Sequence, residues 1–227
     1  MKNKNCWSQF QLSALAVVGF LYLIQASANA ATVYDNGLPD FTASVTGGVS
    51  DWGEFQRIDD FILQTGSTSF NSITWYGSYY NGFAYSDDFT IRIFSDNGSG
   101  APSQNSFQQL NLITTPIRSL YQEPTLTYMY SVGISQVDLN PDQQYWLSIF
   151  NNRHGLSSYW VWTTSTDQIG NAHFRWGDAF PWSPESKPLG YAFSLANVSA
   201  VPLPAAFWLF AAGLIGLLGF MRRGRRK

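Results

Sequence analysis

Short runs of aromatic and β-branched residues, separated by turn signals, recur through the middle of this 227-residue chain and limit its fold more than any other feature. Residues 31–200 show no long apolar pattern of period 3.6, so we expect no long amphipathic helix there. Strands without intervening helices predict an all-β fold, a single antiparallel β-sandwich. The runs predicted as strands are Phe70–Tyr76, Asp88–Phe94, Tyr128–Ile134, Gln144–Phe150 and Tyr159–Thr164.

The run Asp88–Phe94 has the alternation of a half-buried strand. Its apolar residues Phe89, Ile91 and Ile93 fall on one face, and the residues between them are polar. Turn residues such as Asn140–Asp142 separate the runs, because Asn, Pro and Asp favour tight turns. We therefore expect strands that bury one face, in a jelly-roll-like topology.

The first 30 residues have the parts of a secretion signal. A short positively charged region precedes the apolar run Leu12–Ile24, which is shorter than the roughly 20 residues of a permanent membrane span. Ala28 and Ala30 give the small-x-small pattern that signal peptidase accepts, which predicts cleavage before Ala31. Residues 1–30 are therefore predicted to be a signal peptide, and Cys6, the chain's single cysteine, is removed with it.

Residues 201–227 also have three parts. A short motif is followed by the uncharged apolar stretch 205–221, which covers roughly 25 Å as a helix and predicts a transmembrane segment. The basic end 222–227 is expected to stay in the cytoplasm, which leaves residues 31–200 outside it. The motif consists of Val201, Pro202, Leu203, Pro204 and Ala205, and the basic end contains Arg222, Arg223, Arg225, Arg226 and Lys227.

This tail resembles the PEP-CTERM class of bacterial sorting signals in its VPLPA variant, from Val201 to about Arg226. The resemblance implies recognition by an exosortase, a membrane-embedded cysteine transpeptidase that removes the tail, in a Gram-negative host that makes extracellular polysaccharide. Pro202 and Pro204 suit such recognition, because they disfavour helix and keep the motif extended outside the bilayer. The alternative is a plain single-pass anchor whose prolines end the helix.

The domain organisation that follows is a signal peptide at 1–30, a β-sandwich ectodomain at 31–200 and a sorting tail at 201–227. Signal peptidase and exosortase are the predicted partners during export. The protein is expected in the inner membrane transiently, with its body in the periplasm, and then at the cell surface or outside the cell. Segments of the body also resemble an uncharacterised β-sandwich in other secreted bacterial proteins with this tail: Ile58–Leu63, Ile73–Tyr80, Asp87–Ser103 and Tyr145–Asn152.

Charge argues against a nucleic-acid partner. All 15 acidic residues lie in the body, residues 31–200, which contains only six of the 13 basic residues. Its net charge of −9 would be repelled by phosphates.

No catalytic motif is present, and we assign no catalytic residue. The chain's two histidines, His154 and His173, are interpreted as a loop residue and a strand-edge residue rather than metal ligands. Calcium is the metal that the composition favours, because oxygen ligands are abundant, but Asp96–Gly100 is explained equally well as a hairpin turn. We therefore predict no cofactor. The alternative is a structural calcium ion, for which we assign no ligands.

Two carboxylate doublets, Asp59-Asp60 and Asp87-Asp88, bear on an enzymatic alternative. Glycoside hydrolysis uses two carboxylates that face each other, and adjacent strand residues point to opposite faces. Asp59 with Asp87, or Asp60 with Asp88, could supply such a pair across a sheet. The simpler interpretation is solvated carboxylates at strand edges and turns.

Tryptophans supply the candidate ligand contacts. Trp160 and Trp162 share one face of a predicted strand, either as a stacking platform for a sugar ring or, as we favour, as core. Trp176 and Trp182 lie in a Gly/Pro-broken stretch and are predicted to be exposed in a loop. The sequence thus predicts a non-enzymatic structural or glycan-binding module of the cell surface or exopolysaccharide matrix. The alternatives are a carbohydrate-active enzyme and an anchored ectodomain with a protein partner.

Overall fold

The computed structural model describes residues 30–40, 47–51, 55–80, 87–110, 112, 115–123, 126–152, 159–167, 170–199 and 213. The predicted signal peptide up to residue 29 and, apart from Gly213, the sorting tail lie outside the described residues. Within the described ranges, no helix is long and apolar enough to cross a membrane. Residues Ala30–Val198 belong to one compact unit.

Strands in the described residues form two antiparallel sheets. The first sheet contains β1 (Ala30–Asp35), β2 (Gly47–Val49), β4 (Ser69–Tyr79), β7 (Ile117–Gln122), β8 (Thr127–Asp138), β10 (Trp160–Thr163) and β13 (Phe193–Val198). The second contains β3 (Gln56–Phe61), β5 (Phe89–Ser95), β6 (Gln108–Gln109), β9 (Tyr145–Asn151), β11 (His173–Arg175) and β12 (Ser183–Pro184). The predicted all-β class is confirmed, and all five predicted runs coincide with strands, namely β4, β5, β8, β9 and β10.

Strand β4 is the centre of the first sheet. Its pairing with β8 extends from Ser69 to Ser78, and this uses one edge of β4. The other edge pairs with β13 over Ser72–Trp75 and with β10 over Gly77–Tyr79. β7 lies outside β8, β1 outside β13 and β2 outside β10. In the second sheet the order is β12-β11-β3-β9-β5-β6.

The two sheets pack face to face, which is the arrangement of a β-sandwich. The rings of Phe61 in β3 and Phe193 in β13 lie edge to face with centroids 6.4 Å apart. In the same core, the ring centroid of Phe89 in β5 lies 5.2 Å from that of Trp75 in β4. The alternation predicted for β5 is confirmed, because Phe89, Ile91 and Ile93 are all buried in the main core.

The outer face of the second sheet is covered as well. Ile58, Phe94 and Trp146 form a second, smaller buried cluster, and Trp182 packs against it. Ile58 and Phe61 lie three positions apart on β3 and therefore point to opposite faces of the sheet. The half-buried strands expected from sequence are thus covered on both faces here, because the segment that carries Trp182 folds back over this sheet.

Candidate functional site

Residues 176–182, which we call the aromatic loop, connect β11 to β12. Trp176 and Phe180 are exposed, with 55% and 54% of their surface accessible to solvent. Gly177 adopts a φ of +86°, which a residue without Cβ adopts without strain, and its carbonyl accepts the Phe180 N–H at 3.2 Å. The loop is therefore a closed turn that presents two aromatic rings to solvent.

The ring of Trp176 is supported from one side. It lies 4.2 Å from the ring of Phe55 at an interplanar angle of 53°. Phe55 is itself fixed by two backbone hydrogen bonds to Asp51. Trp176 thus combines an exposed surface with a fixed position, which lowers the entropic cost of binding a ligand.

A carboxylate follows Trp176 by two residues in the same loop. Asp178 Oδ1 accepts hydrogen bonds from Gln56 Nε2 at 3.0 Å, from Arg92 Nη1 at 2.7 Å and from Arg175 Nη2. The side chain remains 61% exposed, and Oδ2 has no protein partner among the described residues. One oxygen of Asp178 is therefore anchored, and the other is available to a ligand.

The electrostatics of this carboxylate favour its charged form. Partial burial raises the pKa of Asp178, but the hydrogen bonds from Gln56 and Arg92 and the charges of Arg92 and Arg175 outweigh burial and lower it below its usual value. Asp178 is thus an anionic hydrogen-bond acceptor at neutral pH.

Arg175 connects the loop to the sheet. Its guanidinium lies over the ring of Trp182 at 4.3 Å and near that of Phe94 at 5.4 Å. Its Nε donates to Gln56 Oε1 at 2.8 Å. Burial lowers the pKa of Arg175 to about 10, against the opposing charge of Asp178, so the side chain stays protonated at neutral pH.

Trp182 differs from the prediction of an exposed contact. Its ring is half-buried and lies edge to face with Phe94 at 5.3 Å. It therefore positions Arg175 and the loop rather than facing a ligand. The loop is fixed further by Gln104, whose Nε2 donates to the carbonyls of Asp178 and Phe180 at 3.2 and 3.0 Å.

Trp160 and Trp162 are both fully buried, so the stacking-platform hypothesis for this pair is wrong. The indole of Trp162 stacks on Tyr191 at 4.9 Å, with an interplanar angle of 18°, and that of Trp160 lies 5.0 Å from Phe89. The reason is the place of β10 in the first sheet, where β4 and β2 flank it and its inner face meets the second sheet.

The carboxylate pairs considered from sequence do not form. Asp59 pairs with Leu147 on β9, and Leu147 pairs with Ile93 on β5. Asp87 precedes Ile93 by six residues, about 20 Å along an extended chain. Asp60 and Asp88 are separated by the same distance. Asp60 pairs with Trp146, which pairs with Phe94 on β5, and Asp88 precedes Phe94 by six residues.

Asp59 is fully buried, so the interpretation as a solvated strand-edge carboxylate is wrong for this residue. Its Oδ2 accepts hydrogen bonds from Tyr191 N at 2.6 Å and Asn36 Nδ2 at 2.8 Å, and its Oδ1 accepts one from Asp60 N at 3.1 Å. Burial raises the pKa of Asp59 well above its usual range, although these hydrogen bonds oppose the shift.

The structure also locates the residues considered for metal binding. His173 is buried in β11, with its ring edge to face with Trp146 at 5.0 Å, whereas His154 lies outside the described residues. Asp96 Oδ1 accepts the Gly98 N–H at 2.6 Å and so caps a turn. Within the described part of the chain, no group of three or more His, Cys, Asp or Glu side chains could hold a metal ion.

Two surface clefts are lined by described residues. One, of about 230 Å³, lies beside the start of β11 and the end of β12 and includes Glu185, which is bound to Arg57 and to the Tyr191 hydroxyl. The other, of about 350 Å³, includes Asp138 and Phe107. A single acidic side chain lines each of them, so neither supplies from the described residues the facing carboxylates of a glycoside hydrolase.

Comparison with models of protein families and with curated proteins finds no match for this chain. The exposure of Trp176 was predictable from the sequence, whereas the network around Asp178 was not. Its members Gln56, Arg92 and Arg175 come from three different strands, and no local spacing connects them.

Proposed function

We propose that this chain is an exported, non-enzymatic protein of the cell surface or exopolysaccharide matrix that binds glycan through its aromatic loop. One observation carries the proposal. Trp176 is exposed yet fixed on Phe55, and it lies two residues from Asp178, whose Oδ1 is held by three donors while Oδ2 faces solvent.

This arrangement suits a sugar ring. The apolar C–H face of a pyranose can stack on Trp176, and a ring hydroxyl can donate to Asp178 Oδ2. An aromatic contact of this kind contributes on the order of 1 kcal/mol. A single loop would therefore bind weakly, and many copies on one polysaccharide would supply the affinity through multivalency.

The route to the matrix in this proposal depends on the two ends of the chain. The signal peptide directs export, and the VPLPA-type tail is recognised and removed by an exosortase. A resident membrane form with the body in the periplasm precedes the processed form. A jelly-roll-like topology for the sandwich stays a prediction within this proposal.

Retardation in native gels that contain the host's exopolysaccharide tests the binding function. The purified body, residues 31–200, should migrate more slowly in such gels, and Trp176→Ala should restore most of its mobility. Ile117→Ala is the matched control, because it removes a 74% exposed side chain from the edge strand of the other sheet. Unchanged retardation of the Trp176 variant, or release of reducing sugar by the wild-type protein, would contradict the proposal.

A further inference from the structure

We infer that the larger cleft, which we call the Phe107 cleft, is a second glycan site that takes one uncharged sugar residue. It lies between the β5–β6 connection and the β8–β9 turn and has a volume of about 350 Å³. Small-ligand sites span roughly 300–1,000 Å³, so the cleft suits a single ring or a chain end.

Phe107 forms the apolar wall of the cleft. Its side chain is 49% exposed, and its ring lies 5.9 Å from that of Tyr145. Tyr145 is buried, and its ring lies 6.0 Å from Phe61 in the main core. Phe107 is therefore held against the core on one side and offers a ring face on the other, as stacking on a sugar requires.

Polar groups beside this ring hydrogen-bond to one another and leave one amide nitrogen and one amide oxygen without a partner among the described residues. The Tyr145 hydroxyl accepts from Asn140 N at 3.1 Å and donates to Gln143 Oε1 at 3.1 Å. Asn140 Nδ2 donates to the same Gln143 oxygen at 3.2 Å. Among the described residues, Gln143 Nε2 and Asn140 Oδ1 have no protein partner. Gln143 Nε2 and Asn140 Oδ1 thus leave a donor group and an acceptor for the hydroxyls of a sugar, which both donate and accept hydrogen bonds.

The turn that carries these amides is shaped before any ligand binds. Asp142 adopts a φ of +60°, a left-handed conformation that few residues other than glycine adopt and that Asp tolerates. Pro141 precedes it and fixes the backbone entering the turn. Non-glycine residues in this conformation cluster at binding sites, where a fixed backbone orients the contacting groups.

Charge selects an uncharged ligand. The acidic side chain of the cleft is Asp138, one of whose oxygens accepts from Gln136 Nε2 at 2.7 Å. No Lys or Arg is among the lining residues in the described part of the chain. A uronate, a sulfate or a phosphate would meet a negative charge without a compensating cation, whereas a neutral hexose would meet only hydrogen-bonding groups.

The inference does not depend on the aromatic loop, because the two sites share no side chain. Saturation-transfer NMR on the full chain tests it, in a zwitterionic detergent without a sugar headgroup. The probes are the methyl glycosides of glucose, galactose, mannose and N-acetylglucosamine, with glucuronic acid as the charged comparison. We expect transfer to at least one neutral glycoside, weakened about fivefold or more by Phe107→Ala and by Gln143→Ala.

Tyr159→Ala is the matched control, since it removes another ring that is 49% exposed, beside β10. It should leave the signal unchanged. In a Trp176→Ala background, which removes any transfer through the aromatic loop, Phe107→Ala should still weaken the remaining signal. Circular dichroism confirms that each variant is folded. The inference is overturned if no neutral glycoside receives transfer, if Phe107→Ala and Gln143→Ala leave it unchanged in folded protein, or if glucuronic acid binds better than the neutral probes.

Discussion

The backbone N–H of Tyr191 donates to Asp59 Oδ2 across 2.6 Å and so connects two residues that are 132 positions apart in the chain. The same oxygen accepts from Asn36 Nδ2, whose amide also donates to the Tyr191 carbonyl at 2.8 Å. Asp59 lies on β3 of the second sheet, and the other two residues adjoin β1 and β13 of the first. A buried carboxylate therefore joins the two layers of the sandwich.

Asp59→Ala should lower the free energy of unfolding of the body by about 2–4 kcal/mol, because it leaves buried donors without an acceptor. Urea denaturation followed by tryptophan fluorescence measures the change. Asp88→Ala is the control; this exposed carboxylate should cost less than about 0.5 kcal/mol. Equal losses in the two variants would contradict a structural role for the buried carboxylate.

The stability that Asp59 contributes should fall as the pH rises. A carboxyl group whose folded-state pKa is raised by burial binds its proton more tightly in the folded than in the unfolded protein. Its contribution is complete below the unfolded pKa of about 4 and is lost as pH rises through the folded-state pKa. The free energy of unfolding of the wild type relative to Asp59→Asn should therefore decrease from about pH 4 upward. If the free energy of unfolding of the wild type relative to Asp59→Asn instead grows with pH, the hydrogen bonds to the carboxylate outweigh the cost of burying its charge.

Asp178 should show the opposite dependence. Its folded-state pKa is lowered by Gln56, Arg92 and Arg175 against the effect of burial, so its ion pairs persist above about pH 4 and are lost on further acidification. Glycan retardation should thus be constant from pH 5 to 8 and decline below about pH 4. Asp178→Asn should bind more weakly at pH 7 and lose this acid-dependent decline, which separates it from any titration of the polysaccharide itself.

Gly77→Ala should destabilise the body by about 1–3 kcal/mol, because a Cβ at this position would lie 2.5 Å from the buried Trp160 ring. The matched control is Gly133→Ala on the neighbouring strand β8, where a Cβ would meet nothing within 4 Å and no loss is expected. Thermal unfolding of the two variants makes the comparison. Equal melting temperatures would mean that β4 and β10 are not packed as described.

Processing at both ends should be visible in the intact mass of the exported protein. The mature chain should begin at Ala31 and should lack the residues beyond the 201–205 motif. Replacing Pro202 and Pro204 with Ala should leave an unprocessed form in the membrane, because the motif would lose its extended shape. Equal processing of this variant, or a permanently intact tail in the native host, would favour the plain anchor.

Alternation along the chain was enough to predict the strands, because Phe89, Ile91 and Ile93 follow a period of two that the sheet preserves. It could not predict the burial of Phe94, since that residue faces a loop from far along the chain, where Trp182 covers it. Nor could it predict the burial of Asp59. A carboxylate next to a second carboxylate resembles a solvated pair until its distant partners are known.

The antiparallel register of β1 and β13 places Ala30 directly opposite Val198. The described unit therefore starts and finishes on neighbouring strands at one corner of the first sheet. A circular permutant that joins these two positions through a short linker would need no rearrangement of either sheet. The fold thus does not require the strands to occur in their present order along the chain.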